Sequence, residues 1–101
     1  MKKDLLKLLD LTSEDILEIL DTADRLKAMK KAGIPHPFLE GKTLAMIFEK
    51  SSTRTRVSFE AGIYQLGGNA IYLSDKDSQI GRNEPVQDTA RVLSRFCDGI
   101  M

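Results

Sequence analysis

Apolar residues recur at helical spacing in the first third of the chain. From Ile16 to Met29 they return every three or four positions, which predicts an amphipathic scaffold helix. Thr12 and Asp15 have the spacing of a capping box at its start, and Gly33 suits the end of the helix. We therefore expect one long helix between these two signals.

The middle of the chain changes to short continuous apolar runs. Thr43–Phe48 is typical of a strand that is covered on both faces of a parallel sheet. The run Val57–Leu66 is apolar around most of a helix, so we expect that helix to be well buried, with a close approach at Gly62. Asn69–Ser74 predicts a second strand. Residues 43–74 would then form one β-α-β unit.

The remaining segment predicts one more helix and the beginning of a third strand. Asp75–Asn83 is polar and is interpreted as a mobile loop, and Glu84-Pro85 suits a helix start. An apolar stripe follows at helical spacing: Val86, Ala90, Leu93 and Cys97, extended by Phe96. Cys97 would point into the core. Residues 98–101 resemble the turn into a third strand, so the fold class is α/β, a parallel sheet flanked by helices.

Composition limits the possible partners. A chain of 101 residues is at most one small domain, taken here as residues 1–101. Its 15 basic and 15 acidic residues balance, which gives no general attraction to nucleic acid or to a membrane surface. Cys97 is the single cysteine, and no run is long enough to span a bilayer. We expect a cytoplasmic protein.

The most informative stretch is Ser51–Arg56, between the first predicted strand and the following helix. Hydroxyl groups of Ser52, Thr53 and Thr55 and the planar guanidinium of Arg54 are suitable donors to a phosphate group. Backbone N–H groups at a helix start also favour an anion. The alternative is that these residues only cap a helix, and spacing alone favours neither reading. The Walker-type glycine loop is absent.

Arg54 and Arg56 are expected to differ in role. Two positions along a helix, their side chains project about 200° apart, because each residue turns about 100°. Both are therefore not expected to hold one ion. We assign Arg54 to the anion and Arg56 to a structural or intersubunit ion pair.

The segment Phe48–Glu60 closely resembles the carbamoyl-phosphate-binding signature of the transcarbamoylases, whose core is Ser-Thr-Arg-Thr-Arg. Two further segments, Ser78–Gly81 and Asp88–Arg95, resemble the ornithine carbamoyltransferase branch in particular. The lead-in Glu49-Lys50 also resembles that branch. This resemblance covers nearly the whole chain and implies a carbamoyl-phosphate-binding domain, incomplete in these 101 residues.

The resemblance also implies roles for individual residues. The phosphate of carbamoyl phosphate would be held by four of them, with Arg54 also acting in catalysis: Ser52, Thr53, Arg54 and Thr55. Gln79 would reach into the site of a neighbouring subunit, since the family's sites lie between protomers of a trimer. Some family members carry lysine where Asn83 stands, so a charged contact from that loop is not implied for this chain.

The implied reaction is attack by the δ-amine of ornithine on carbamoyl phosphate, giving citrulline and phosphate, in arginine biosynthesis or catabolism. No metal or organic cofactor is implied. The family's ornithine-binding domain and its His-Pro-x-Gln segment do not lie in residues 1–101, so we expect this chain alone to be inactive. Two alternatives stay open: part of an aspartate carbamoyltransferase catalytic chain, or a non-catalytic anion-binding or assembly module.

Overall fold

The computed structural model describes residues 4–50, 52–74 and 86–101. It divides into two compact units, residues 1–36 and 37–101, which are treated separately. A 3-10 turn, Leu8–Asp10, precedes the elements α1 Ser13–Lys31, β1 Thr43–Phe48, α2 Thr53–Gln65, β2 Asn69–Ser74, α3 Val86–Phe96 and β3 Gly99–Ile100. The loop interpretation of Asp75–Asn83 and the helix start at Glu84-Pro85 lie outside the described residues.

The two ends of α1 are capped as predicted. The Thr12 N–H donates to Asp15 Oδ2 at 3.0 Å and the Asp15 N–H donates to Thr12 Oγ1 at 3.1 Å, which is a complete capping box. At the other end Gly33 has φ of 71°, and the Ile34 N–H donates to Met29 O at 2.9 Å. This Schellman arrangement ends the helix.

The second unit is built on a three-stranded parallel sheet in the order β2-β1-β3. The register pairs Thr43 with Asn69 and Phe48 with Ser74. Ala45 and Met46 are both 0% exposed, and adjacent strand residues point to opposite faces. The prediction that β1 is a strand covered on both faces of a parallel sheet is confirmed, and the structure places it at the centre of that sheet.

This strand order places a reversal of direction at β1. The chain leaves β1 for β2 on one side and later enters β3 on the other. With right-handed crossovers, the connecting helices α2 and α3 belong on opposite faces of the sheet. In open parallel sheets the crevice at such a reversal, beyond the carboxyl ends of the strands, is where ligands bind.

The prediction that α2 is well buried is wrong. Of its side chains only Ile63 is buried, while Val57 is more than half exposed and Tyr64 is 79% exposed. The sheet covers one side of the helix, and an apolar circumference gives burial only where a second layer covers the rest. The predicted close approach at Gly62 is not seen either, since a Cβ added there would meet no atom of the described residues within 4 Å. A Cβ at Gly68, in contrast, would lie 2.8 Å from Lys42 O.

The buried face of α3 is also shifted from the predicted stripe. Thr89 is buried and Leu93 and Cys97 are partly buried, whereas Ala90 is exposed and Phe96 is 79% exposed. Leucine and cysteine positions were therefore predicted on the correct face, but Cys97 is not enclosed in a core. A stripe of apolar residues marks a face only approximately when the covering sheet is narrow.

Hydrogen bonds close the amino-terminal edge of the sheet. The Thr43 N–H donates to Asp98 Oδ2 at 2.9 Å, and the Asp98 N–H donates to Thr43 O at 2.9 Å. Thr43 Oγ1 donates to Asn69 Oδ1, also at 2.9 Å. Lys42 Nζ lies 3.9 Å from Asp98 Oδ1. The amino end of β1 is thus hydrogen-bonded to residues at the start of both neighbouring strands.

We expect Asp98→Ala to lower the free energy of unfolding of the chain by about 1–2 kcal/mol, because the Thr43 N–H loses a charged acceptor. Urea unfolding followed by circular dichroism measures it. Lys42→Ala is the matched control and should cost less than about 0.5 kcal/mol, since its ion pair with Asp98 is exposed. Equal losses would assign the effect to the ion pair instead.

Thr89 offers a test of a different kind. Its Oγ1 is buried without a hydrogen-bond partner among the described residues. Thr89→Val keeps the branched shape and removes that hydroxyl, so the unfolding free energy should stay equal or rise by up to about 1 kcal/mol. Thr89→Ala, which leaves a cavity, should lower it. A loss of stability in the valine variant would reveal that the hydroxyl has a partner.

Candidate anion site

The predicted phosphate-binding stretch lies at the carboxyl end of the central strand. Glu49 and Lys50 follow β1 and are exposed, and Ser52 is the extended N-cap residue of α2, with φ of −142° and ψ of 98°. The helix begins at Thr53, upstream of the apolar run that predicted it. Ser52, Thr53, Arg54 and Thr55 therefore form the cap and first turn of α2, and we call these four residues the cradle.

The N-terminus of α2 is left without a side-chain cap. The Ser52 hydroxyl donates to Thr55 Oγ1 at 3.0 Å and does not accept from a backbone N–H. The first helical hydrogen bond runs from the Arg56 N–H to Ser52 O at 2.9 Å. Because the earlier N–H groups of a helix have no acceptor within it, those of Thr53, Arg54 and Thr55 are open to a ligand. Ser52 is thus the N-cap residue by position, but its side chain makes no capping hydrogen bond.

The cradle residues line one pocket together. Ser52, Thr53 and Arg54 are exposed and Thr55 is partly buried. Within the described ranges the Arg54 guanidinium has neither an ion pair nor a hydrogen bond. A positive charge, three hydroxyl groups and the positive end of a helix dipole thus line the same pocket. This combination favours an anion with several acceptor oxygens.

Arg56 has a different environment, as predicted. Its Nε donates to Glu60 Oε1 at 2.9 Å, and its guanidinium carbon lies 3.6 Å from the centre of the Tyr72 ring. The hydrogen bond to Glu60 is the main cause that raises the pKa of Arg56 above its ordinary value. Arg56 is therefore always charged and is paired within its own chain, which confirms the structural ion pair.

Tyr72 is the residue that sequence reasoning missed. Its strand was predicted correctly, but its contacts with Arg56 and with Phe48, at 5.5 Å between ring centres, were not. An aromatic residue in the strand after a Ser-Thr-Arg-Thr-Arg turn was the available signal. Only the folded structure shows that the ring lies against the Arg56 guanidinium.

The remaining expectations concern Gln79, metal binding and membrane-spanning helices. Gln79 lies outside the described residues, so its approach to a neighbouring subunit stays a prediction. Across residues 4–50, 52–74 and 86–101, no group of three potential metal-binding His, Cys, Asp or Glu side chains occurs. In the same ranges no helix has the length and apolar character needed to cross a membrane.

Comparison with known proteins identifies the family. The model of the aspartate/ornithine carbamoyltransferase carbamoyl-P binding domain matches residues 3–101. The chain belongs to this family. The match includes the cradle and the whole sheet, so family and fold agree.

Relatives of the chain carry the same family name. It is 61% identical over 99 residues to ornithine carbamoyltransferase from Methanocorpusculum labreanum, covering 98% of the chain and 32% of the relative. The solved ornithine carbamoyltransferase from Pyrococcus furiosus has a TM-score of 0.94 at 58% identity, covering 98% and 32%. The catalytic subunit of M. jannaschii aspartate transcarbamoylase has a TM-score of 0.87 at 41% identity, covering 98% and 33%. The chain spans about a third of the length of the curated relatives it matches.

The two arginines give a direct test of the cradle. We expect Arg54→Ala to weaken binding of inorganic phosphate by about 1.5–3 kcal/mol, the range for a charged hydrogen bond. Arg56→Ala should act mainly on thermal stability and cost phosphate affinity much less. Isothermal titration calorimetry and thermal unfolding of both variants measure the difference. Equal losses of affinity in two folded variants would refute this division of roles.

Proposed function

We propose that the chain supplies the carbamoyl-phosphate-binding part of an ornithine carbamoyltransferase. The reaction transfers the carbamoyl group from carbamoyl phosphate to the δ-amine of ornithine and gives citrulline and phosphate. The observation that carries this proposal is the first turn of α2 at the carboxyl end of a central parallel strand, where Ser52 makes no capping bond and Arg54 has no partner among the described residues. Family membership and relatives at about 60% identity support the choice of substrate.

In this proposal the cradle binds the phosphate group of the substrate. The neutral amine attacks the carbamoyl carbon and forms a C–N bond, and the C–O bond to phosphate then breaks with its electron pair moving to the phosphate oxygen. The attacking amine gives up one proton, and the departing phosphate, which has gained that electron pair, takes it up. Negative charge therefore grows on the phosphate, next to Arg54 and the open N–H groups of Thr53 and Thr55.

Only an interaction that strengthens during the reaction raises the rate. Arg54 satisfies this requirement because the negative charge that it faces increases as the C–O bond breaks. The hydroxyl groups of Ser52, Thr53 and Thr55 would mainly orient the phosphate. Arg54 is accordingly the catalytic residue among the four.

The rest of the active site would come from outside this chain. Since the chain matches about a third of its relatives, we propose that ornithine is bound by a further domain and that the chain alone does not turn over. We further propose a homotrimer in which Gln79 contributes to a neighbouring site, and a cytoplasmic location. The single thiol of Cys97, which is not engaged in a disulfide, fits a reducing compartment.

A second candidate function is the aspartate branch of the family. The M. jannaschii aspartate transcarbamoylase subunit shares this fold at 41% identity, so the cradle by itself does not select the acceptor amine. Higher identity to the Pyrococcus furiosus ornithine enzyme favours ornithine. The cradle could also serve a non-catalytic anion-binding module, because its groups are complete within the first turn of α2.

Two chimeric enzymes test these functions. In the first, the chain replaces the equivalent third of the Methanocorpusculum labreanum ornithine carbamoyltransferase; in the second, it replaces that of the M. jannaschii aspartate transcarbamoylase subunit. We expect citrulline from the first and little carbamoyl-aspartate from the second. Arg54→Ala in the first should lower kcat by about 100- to 1,000-fold, as loss of an oxyanion donor does.

Other outcomes separate the alternatives. Turnover by the second enzyme only would place the chain in the aspartate branch. Phosphate binding without turnover in either enzyme would support the non-catalytic module. An Arg54→Ala variant with unchanged kcat would show that the cradle is not part of the reaction.

A further inference from the structure

Both ends of the connection that carries the cradle meet one aromatic ring. Phe48 is the last residue of β1, and Arg56 follows the cradle in the first turns of α2. The Phe48 ring lies 5.5 Å from the Tyr72 ring, tilted by 38°, and the Arg56 guanidinium carbon lies 3.6 Å from the centre of that ring. Residues 49–55 are thus bounded on both sides by contacts with Tyr72.

The sheet register explains how one ring reaches both ends. Tyr72 in β2 is paired with Met46 in β1, and Phe48 is two residues beyond Met46. Because side chains two positions apart lie on one face of a strand, the Phe48 and Tyr72 rings share a face of the sheet. Arg56 from α2 contacts Tyr72 on that face. Tyr72 is partly buried, and every residue of its strand is paired with β1, so the register fixes its place on the sheet.

Arg56 is held in the orientation that this contact needs. Glu60, one turn further along α2, accepts a hydrogen bond from Arg56 Nε at 2.9 Å. The backbone N–H of Arg56 donates to Ser52 O, also at 2.9 Å. One residue therefore connects the Tyr72 ring to the N-cap of α2.

We propose that Tyr72 is a positioning residue for the anion site: it fixes Phe48 and Arg56, and through them the aim of the cradle at the phosphate of the substrate. This inference rests on the proposed function. Its physical basis is that donors converging on one phosphate lose much of their effect when the turn is displaced by about 1 Å. Tyr72 is not one of the cradle residues that line the anion pocket.

The test uses the chimeric ornithine carbamoyltransferase described above. We expect Tyr72→Leu to raise the KM for carbamoyl phosphate about fivefold, the size of effect expected when an exposed cation–π contact is lost. The KM for ornithine should stay unchanged. Tyr72→Phe keeps the aromatic face and should restore the KM to within about twofold of the unmodified enzyme. Phe96→Leu is the control, an aromatic-to-leucine change at a side chain of α3 that is 79% exposed, and should have no effect.

Arg56→Gln provides a second variant that leaves Tyr72 in place, which decides the question if Tyr72→Leu fails to fold. It should raise the same KM, and the double variant should show less than the product of the two single effects, because both act through one contact. An unchanged KM in folded Arg56→Gln, or independent effects of the two changes, would overturn the proposal. If Arg54→Ala leaves the kcat of the chimeric ornithine enzyme unchanged, the proposed function itself would be refuted instead.

Discussion

β1 pairs in parallel with a strand on each side, and the position of the anion site depends on this pairing. The Thr43 end of β1 is occupied by hydrogen bonds to Asp98 and Asn69, so the amino edge of the sheet is chemically satisfied. At the opposite edge the chain turns directly into α2, whose first N–H groups have no acceptor among the described residues. The same strand therefore has one end that is hydrogen-bonded to its neighbours and one end at which we propose that the anion binds.

Local signals in the sequence were enough for the elements themselves. Thr43–Phe48 and Asn69–Ser74 were predicted with the bounds that the structure has, and the Thr12 capping box was predicted with its partner. These features depend on spacing within a few residues. Burial of α2 and the inward face of α3 were mispredicted, because they depend on which surfaces cover each helix.

The cradle shows the same limit at the level of single residues. Its position and its free arginine follow from a strand, a turn rich in hydroxyl groups and a helix, all of them local. The separate role of Arg56 also followed from helix geometry. Its two partners, Glu60 and Tyr72, differ in how far a sequence can predict them. Glu60 lies four residues away on the same helix, whereas Tyr72 becomes a neighbour only through the register of β2 against β1.

The uncapped start of α2 has an energetic consequence for the whole unit. Ser52 is a residue type that stabilises helix starts when its oxygen accepts a backbone N–H, yet its hydroxyl is turned to Thr55. That stabilisation, typically about 1 kcal/mol, is thus not realised in the free chain. An anion in the cradle would satisfy those N–H groups and complete the helix start. Under the proposed function, binding and local stability would therefore be linked, with the contacts of Phe48, Arg56 and Tyr72 holding the unsatisfied turn in place.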